Sequence, residues 1–233
     1  MSSKVTIGCL TIGQSPRPDI LDELSSLLPS NCHLMELGAL DNLNSTKLQK
    51  VAPAGDDAFY VTLLRNGTEV SISQLMLEGL LQRGLAELQR RGAHLAILLC
   101  TGELPPMASG IPYFRGGEII KERVKREYRG KRIAVVVPDP GQAANMSQRW
   151  NNLGVNHDIY DCPPYFETEQ SRKLCAKLRK NDADFIVLDC IGFTLEMEKC
   201  FRQQTGKHVL LPRTIIGKYI TNYLSNSQST NPL

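Results

Sequence analysis

The sequence predicts an α/β protein of two pseudo-symmetric lobes, each with a mostly parallel sheet flanked by helices. Three observations carry this prediction. Short apolar runs alternate with helical patterns along most of the chain, and such alternation implies crossover connections between parallel strands. A stretch of the first half recurs in the second at an offset of 90 residues. Both copies end in Cys-x-Gly directly after an apolar strand.

Taken in order, Val5–Ile12 is an apolar, β-rich run that stops at Gly13-Gln14-Ser15-Pro16-Arg17-Pro18, where two prolines forbid continued pairing. Asp19 then precedes a helical pattern of Ile20, Leu21, Leu24, Leu27 and Leu28. Tyr60–Leu64 and Thr68–Ile72 flank Arg65-Asn66-Gly67, a strong hairpin signal. A helix over Gln74–Arg91 leads into a strand at His94–Leu99. The second half gives a helix at Glu118–Arg129, a strand at Arg132–Val137 ended by Pro138-Asp139-Pro140-Gly141, and a helix at Gln142–Asn151. A short strand at Asn156–Tyr160, a helix at Glu167–Lys180 and a strand at Asp184–Asp189 follow. A helix at Leu195–Gln204, a strand at Val209–Leu211 and a helix at Thr214–Leu224 complete the pattern. The expected division is a first lobe over 1–112 with the hairpin as an insertion, a second lobe over 113–224, and a polar, disordered tail at 225–233. The last strand or helix is allowed to cross between lobes.

At 233 residues, 42% hydrophobic and 22% charged, the chain can bury a sizeable core. A net charge of +3 is too small to argue for nucleic acid. The densest basic stretch, Lys121–Arg132, interleaves Glu122 and Glu127 as a solvated helix face does. No apolar run approaches the roughly 18 residues of a membrane span, and the N-terminus lacks a signal-peptide pattern. Seven cysteines at irregular spacings do not form a disulfide framework; they point to a reducing compartment, the cytoplasm. No histidine lies at metal-ligand spacing from a cysteine, and no Gly-rich phosphate loop is present. Neither metal nor pyridoxal phosphate is therefore expected.

The repeat aligns Leu85–Gly102 with Cys175–Gly192 without gaps. Identities fall at Ala86/Ala176, Leu88/Leu178, Ala93/Ala183, Leu98/Leu188, Cys100/Cys190 and Gly102/Gly192. Two helix–strand units share apolar positions by necessity; they do not share Cys-x-Gly at the carboxyl end of the strand, where open α/β sheets bind ligands. Glycine there lets a ligand carboxylate approach backbone N–H groups, and the same donors favour a reactive sulfur. Cys100 and Cys190 are therefore the expected active centre, and two equivalent lobes facing one another would bring both to one cleft. Cys9, Cys32, Cys162, Cys175 and Cys200 read as buried filler.

Thr-Ile-Gly-Gln-Ser-Pro-Arg at Thr11–Arg17, Leu-Cys-Thr-Gly-Glu at Leu99–Glu103 and Leu-Asp-Cys-Ile-Gly-Phe at Leu188–Phe193 together resemble the AroM-type family within the aspartate/glutamate/hydantoin racemase superfamily. The resemblance spans Val5 to about Leu224. It implies an Asp/Glu racemase-like fold, an active site between the lobes, and a small carboxylate such as an amino acid as substrate. It also implies an isomerase working through cysteine thiolates without cofactor.

In that reading one thiolate removes the proton beside the carboxylate and the opposite thiol returns one from the far side. The developing charge needs fixed donors. The candidates are the backbone at Thr101-Gly102 and Ile191-Gly192, the Ser15 and Thr101 hydroxyls, and Arg17, with Phe193 completing the second motif. Arg17 also reads as a surface partner of Asp19 or Asp22. Gln14 and Gln142 each follow a glycine after a lobe-opening strand and form a second matched pair. Glu103 and Asp189 flank the cysteines, where each either caps a helix or faces solvent. A one-thiol decarboxylase or cis–trans isomerase, and a non-catalytic carboxylate-binding protein, stay open. The expected partner is the small carboxylate alone, without nucleic acid or membrane, and a homodimer stays open.

Overall fold

The computed structural model describes residues 4–55, 57–164 and 168–229. The chain divides into two compact units, one holding residues up to Pro18 with Asn31–Glu118, the other Asp19–Ser30 with Ile119 onward.

The first unit opens with β1 (Val5–Thr11). The helix that follows, α1 (Pro18–Ser26), packs almost wholly with the second unit, and the chain returns through β2 (Cys32–Gly38). After α2 (Ser45–Val51) come the antiparallel pair β3 (Phe59–Leu63) and β4 (Glu69–Ser73), then α3 (Gln74–Arg90), β5 (Leu95–Leu99) and β6 (Tyr113–Arg115). The sheet runs β2-β1-β5-β6, all parallel. β6 carries it past residue 112, the end expected for this lobe. The strand β5 is buried at every residue because both its faces are covered, which is why it reads as an unbroken apolar run. Helix α3 lies close on the sheet because glycines meet its apolar stripe. A Cβ on Gly8 would stand 2.9 Å from Leu88, and one on Gly84 2.7 Å from Leu10. The core there joins Leu10, Leu37, Leu81, Leu88 and Leu98.

α4 (Gly116–Glu127) carries the chain into the second unit. There β7 (Arg132–Val137) leads through a 3-10 turn at Pro140–Gln142 to α5 (Ala143–Asn152) and β8 (Asn156–Asp161). α6 (Glu169–Lys180), β9 (Phe185–Leu188), α7 (Leu195–Thr205), β10 (His208–Leu210) and α8 (Pro212–Ser229) follow. The expected first residue of α6, Glu167, lies outside the described residues; a capping box of Thr168 and Ser171 starts the helix. Gly206, at φ +71°, ends α7 in the left-handed cap that an L side chain disfavours. Helix α8 runs through Ser229 where a polar tail was expected from Ser225, and residues 230–233 lie outside the described residues. No helix among the described residues is long and apolar enough to cross a membrane.

The second sheet runs β8-β7-β9-β10, again all parallel. Its order matches the first strand for strand, and so does its register: Ile7 pairs with Leu95 as Ile133 pairs with Phe185. Ala96 pairs with Tyr113 as Ile186 pairs with Val209. The repeat first seen in one helix and one strand is therefore a repeat of the whole sheet. Three elements had no sequence expectation: β2, α2 and β6.

Candidate active site

In each sheet the chain's first strand sits beside the strand bearing the Cys-x-Gly turn, with connections departing to opposite sides. That is the switch point where parallel sheets bind ligands beyond the strands' carboxyl ends. The two turns share one local geometry. The Cys100 N–H donates to Leu98 O at 3.0 Å, and the Cys190 N–H to Leu188 O at 2.9 Å. The Gly102 N–H points at Cys100 Sγ at 3.3 Å, and the Gly192 N–H at Cys190 Sγ at 3.4 Å. Each sulfur thus faces a fixed positive dipole, the polarity that stabilises a negative sulfur.

The turns are held differently. Gly117, in the first turn of α4, donates its N–H to Cys100 O at 2.9 Å and has no room for a side chain, since a Cβ would lie 2.5 Å from Thr101 O. By strand register the matching position in the second unit is Arg213. Its buried guanidinium donates from Nε to Ile191 O at 2.8 Å and from Nη2 to Gly192 O at 3.1 Å. Nη1 reaches Asp19 O and the Glu23 carboxylate at 2.6 Å, and Glu23 in turn accepts from the Leu195 N–H. This fork ties α1 to the Cys190 turn.

In the first unit the β3–β4 hairpin covers the strand ends. The Tyr60 ring lies on Gly102, where an added Cβ would come 2.1 Å from the ring, and its hydroxyl donates to Glu103 O at 2.6 Å. The Gln14 N–H donates to Leu63 O, while the Gln14 side chain donates to Leu40 O and accepts from the Arg65 N–H. The Ser15 hydroxyl and N–H both donate to Asp41, at 2.6 and 2.7 Å. Gln14 and Ser15, expected to meet substrate, thus spend these groups on holding the loop. Arg17 is buried at 4% exposure, and its N–H donates to Glu36 at 2.7 Å. Thr101 is buried at the turn.

In the second unit Ile191 is buried, Phe193 fully so, and the Phe193 N–H returns to Cys190 O. The Ile191 N–H makes no hydrogen bond among the described residues. Gln142 differs from its expected counterpart Gln14: it is buried, and its side chain makes no hydrogen bond among the described residues. Asp189 neither caps a helix nor faces solvent. It is buried, with Arg149 Nη2 at 2.9 Å and the Trp150 Nε1–H donating at 3.0 Å. Glu103 is exposed.

Cys100 is 6% exposed and joins the first core, whereas Cys190 is half-buried against the second. None of the seven cysteines forms a disulfide. Burial and the neighbouring Glu36 push the Cys9 thiol far above its ordinary value, and burial with Asp161 pushes Cys162 up to about 11. Asp41, Tyr60, Arg149 and Arg213 were not singled out from the sequence. The repeat could not have pointed to Arg213, because its offset of 90 sets Gly117 against Lys207, and only the strand register matches Gly117 with Arg213.

Two parallel sheets of matching strand order flanked by helices give the chain an Asp/Glu racemase-like fold. The chain belongs to the AroM protein family, which it matches over residues 7–224. No match is found among curated proteins. Among solved structures it is similar to allantoin racemase from Pseudomonas fluorescens, at 12% identity over 96% of this chain and 92% of that chain, with a TM-score of 0.66. It is also similar to a liganded variant of arylmalonate decarboxylase (15%, 95% and 92%, TM-score 0.63) and to glutamate racemase from Aquifex pyrophilus (14%, 94% and 84%, TM-score 0.58). At these identities the likeness is one of fold.

Proposed function

We propose that this chain is a cofactor-independent isomerase that racemises or epimerises a small amino acid or related carboxylate, with Cys100 and Cys190 as its two acid–base groups. The observation that carries the reading is the matched pair of turns, each aiming a glycine N–H at a cysteine sulfur. One thiolate takes the proton beside the carboxylate: the C–H bond breaks, an S–H bond forms, and the electron pair spreads onto the carboxylate. The other thiol delivers its proton to the opposite face and is left as thiolate, ready for the reverse reaction. The Ile191 N–H and Gln142 amide supply donors not used elsewhere among the described residues, and Arg17 and Thr101 are the proposed carboxylate anchors. The proposal places the protein in the cytoplasm, where thiols stay reduced.

A second reading has one observation in its favour. Cys190 is the more exposed thiol and has the buried Arg149–Asp189 ion pair behind it. A one-thiol decarboxylase or cis–trans isomerase would use Cys190 alone. A thermal-shift screen of amino acids, hydantoins and dicarboxylates, with each hit followed by polarimetry, tests both readings. Loss of optical rotation from one enantiomer of a stabilising ligand supports the isomerase. Carbon dioxide release, or stabilisation without any turnover, contradicts it.

A further inference from the structure

The two Cys-x-Gly turns form an internal comparison. They share strand register, backbone hydrogen bonds and N–H···S contacts, yet differ in the residue immediately before the cysteine: Leu99 in one, Asp189 in the other. Asp189 is 1% exposed, and both carboxylate oxygens meet Arg149 Nη2, at 3.1 and 2.9 Å. The Trp150 indole donates to Oδ2 at 3.0 Å, and the Arg149 guanidinium lies 5.1 Å from the Trp150 ring. Arg149 is 2% exposed and Trp150 fully buried. Taking a carboxylate and a guanidinium out of water is costly even when they pair, and a hydrophobic pair of similar volume is often as stable. The first unit builds the same strand end with leucine, so the fold does not require the charges.

We propose that Arg149 and Asp189 are positioning residues for Cys190, a balanced buried ion pair that sets the charge felt at that sulfur and distinguishes it from Cys100. The inference rests on Cys190 being a reactive thiol, though not on which substrate it serves. Asp189 lies just past β9 and before Cys190; its carboxylate meets Arg149 and Trp150 of α5, while Cys190 packs against the core that α6 and α7 line. A lone carboxylate so placed opposes a thiolate through the strand, a lone guanidinium favours it, and together they cancel. Near the turn, Arg213 from α8 pairs with Glu23 from α1 and lies 4.0 Å from the Asp19 carboxylate. Tyr160 and Leu195 pack against the same core as Cys190, and Cys162, buried in that core, stays protonated near neutral pH.

The test is iodoacetamide alkylation of the intact chain across pH 6–10, with the rate at Cys190 and at Cys100 read separately by peptide mass spectrometry. Arg149→Met leaves the carboxylate uncompensated and should move the Cys190 midpoint up by on the order of one pH unit; Asp189→Asn should move it down by a similar amount. The Cys100 profile should move in neither. A merely structural pair would loosen the turn in both variants and shift the two profiles in the same direction, which overturns the proposal, as does no movement in either. Should either single variant fail to fold by thermal melt, the double variant Asp189→Leu with Arg149→Met copies the chemistry of the first unit. It should fold and bring the Cys190 midpoint back to that of wild type, away from the shifted midpoint of whichever single variant folds, with the Cys100 rate unchanged. A double variant shifted as far as that single variant overturns the proposal. Alkylation needs no substrate, so a failure of the isomerase reading would leave this result standing.

Discussion

Replacing Gly117 with alanine strikes the first cysteine turn through one added methyl group. An ideal Cβ at this position lies 2.5 Å from Thr101 O and 2.8 Å from Gly102 O, both backbone atoms that no rotamer change can move aside. The backbone at Gly117 has an ordinary negative φ, so alanine adds no conformational strain and the clash is the whole perturbation. Relief requires the turn to move away from the start of α4, costing about 1–3 kcal/mol for overpacking. It also stretches the bond from the Gly117 N–H to Cys100 O, a further loss of about 0.5–1.5 kcal/mol. A net destabilisation of about 2–4 kcal/mol lowers the melting temperature of a chain of this size by roughly 5–12 °C. Gly79→Ala in α3 is the control. Its Cβ meets only Arg83 Nη1 at 3.7 Å, and alanine should stabilise the helix by about 0.5–1 kcal/mol. Circular-dichroism melts should separate the two variants in opposite directions from wild type. A Gly117→Ala protein melting within about a degree of wild type would refute the steric argument, and with it the latch between α4 and the Cys100 turn.

Arg213→Met should cost about 3–5 kcal/mol, because it strands the Glu23 carboxylate and two turn carbonyls together. Denaturant melts check the loss, and faster alkylation of Cys190 reports the loosened turn; unchanged values for both would remove Arg213 from the account. Cys9 and Cys162 are held protonated in the fold well above the ordinary value of 9.0, so the unfolded chain binds fewer protons than the folded one at alkaline pH. Their contribution to stability is complete below about pH 9 and falls as pH rises, that of Cys162 being lost through about pH 11. Native alkylation at pH 8.5 should leave both thiols unmodified, and reaction of either at the rate seen in urea would contradict their burial.

The matched strands were legible because β5, β7 and β9 are buried on both faces and therefore read as unbroken apolar runs. The hairpin was legible because Asn66-Gly67 dictates its turn, with Gly67 at φ +82°. β2 was not: its burial is mostly partial, and the mixture of Cys32, His33 and Glu36 gives no clean alternation. Three-residue β6 offers too short a pattern for any periodicity to register. The cysteine turns were found through their repetition. The duties of the residues around them were hidden because the partners are remote in sequence. Ser15 meets Asp41, which follows β2, and Gln14 meets Arg65 in the hairpin turn, partners that lie 26 and 51 residues further along the chain. Asp189 meets Arg149 from a helix 40 residues earlier, a pairing that no local pattern encodes. Helix α1 joins the second unit for the same reason, through Glu23 and the buried fork of Arg213.

The central claim, that two thiols share one proton-transfer reaction, is tested most directly by exchange of the α-hydrogen in heavy water. Wild type, Cys100→Ser and Cys190→Ser are each incubated with both enantiomers of a ligand from the thermal-shift screen, and the α-proton signal is followed by NMR. The account predicts exchange with interconversion in wild type and no interconversion in either variant. Each variant should retain deuterium wash-in for one enantiomer only, opposite in the two, because each keeps the thiol that serves one face. Full turnover in Cys100→Ser alongside a dead Cys190→Ser would contradict the claim and leave Cys190 acting alone.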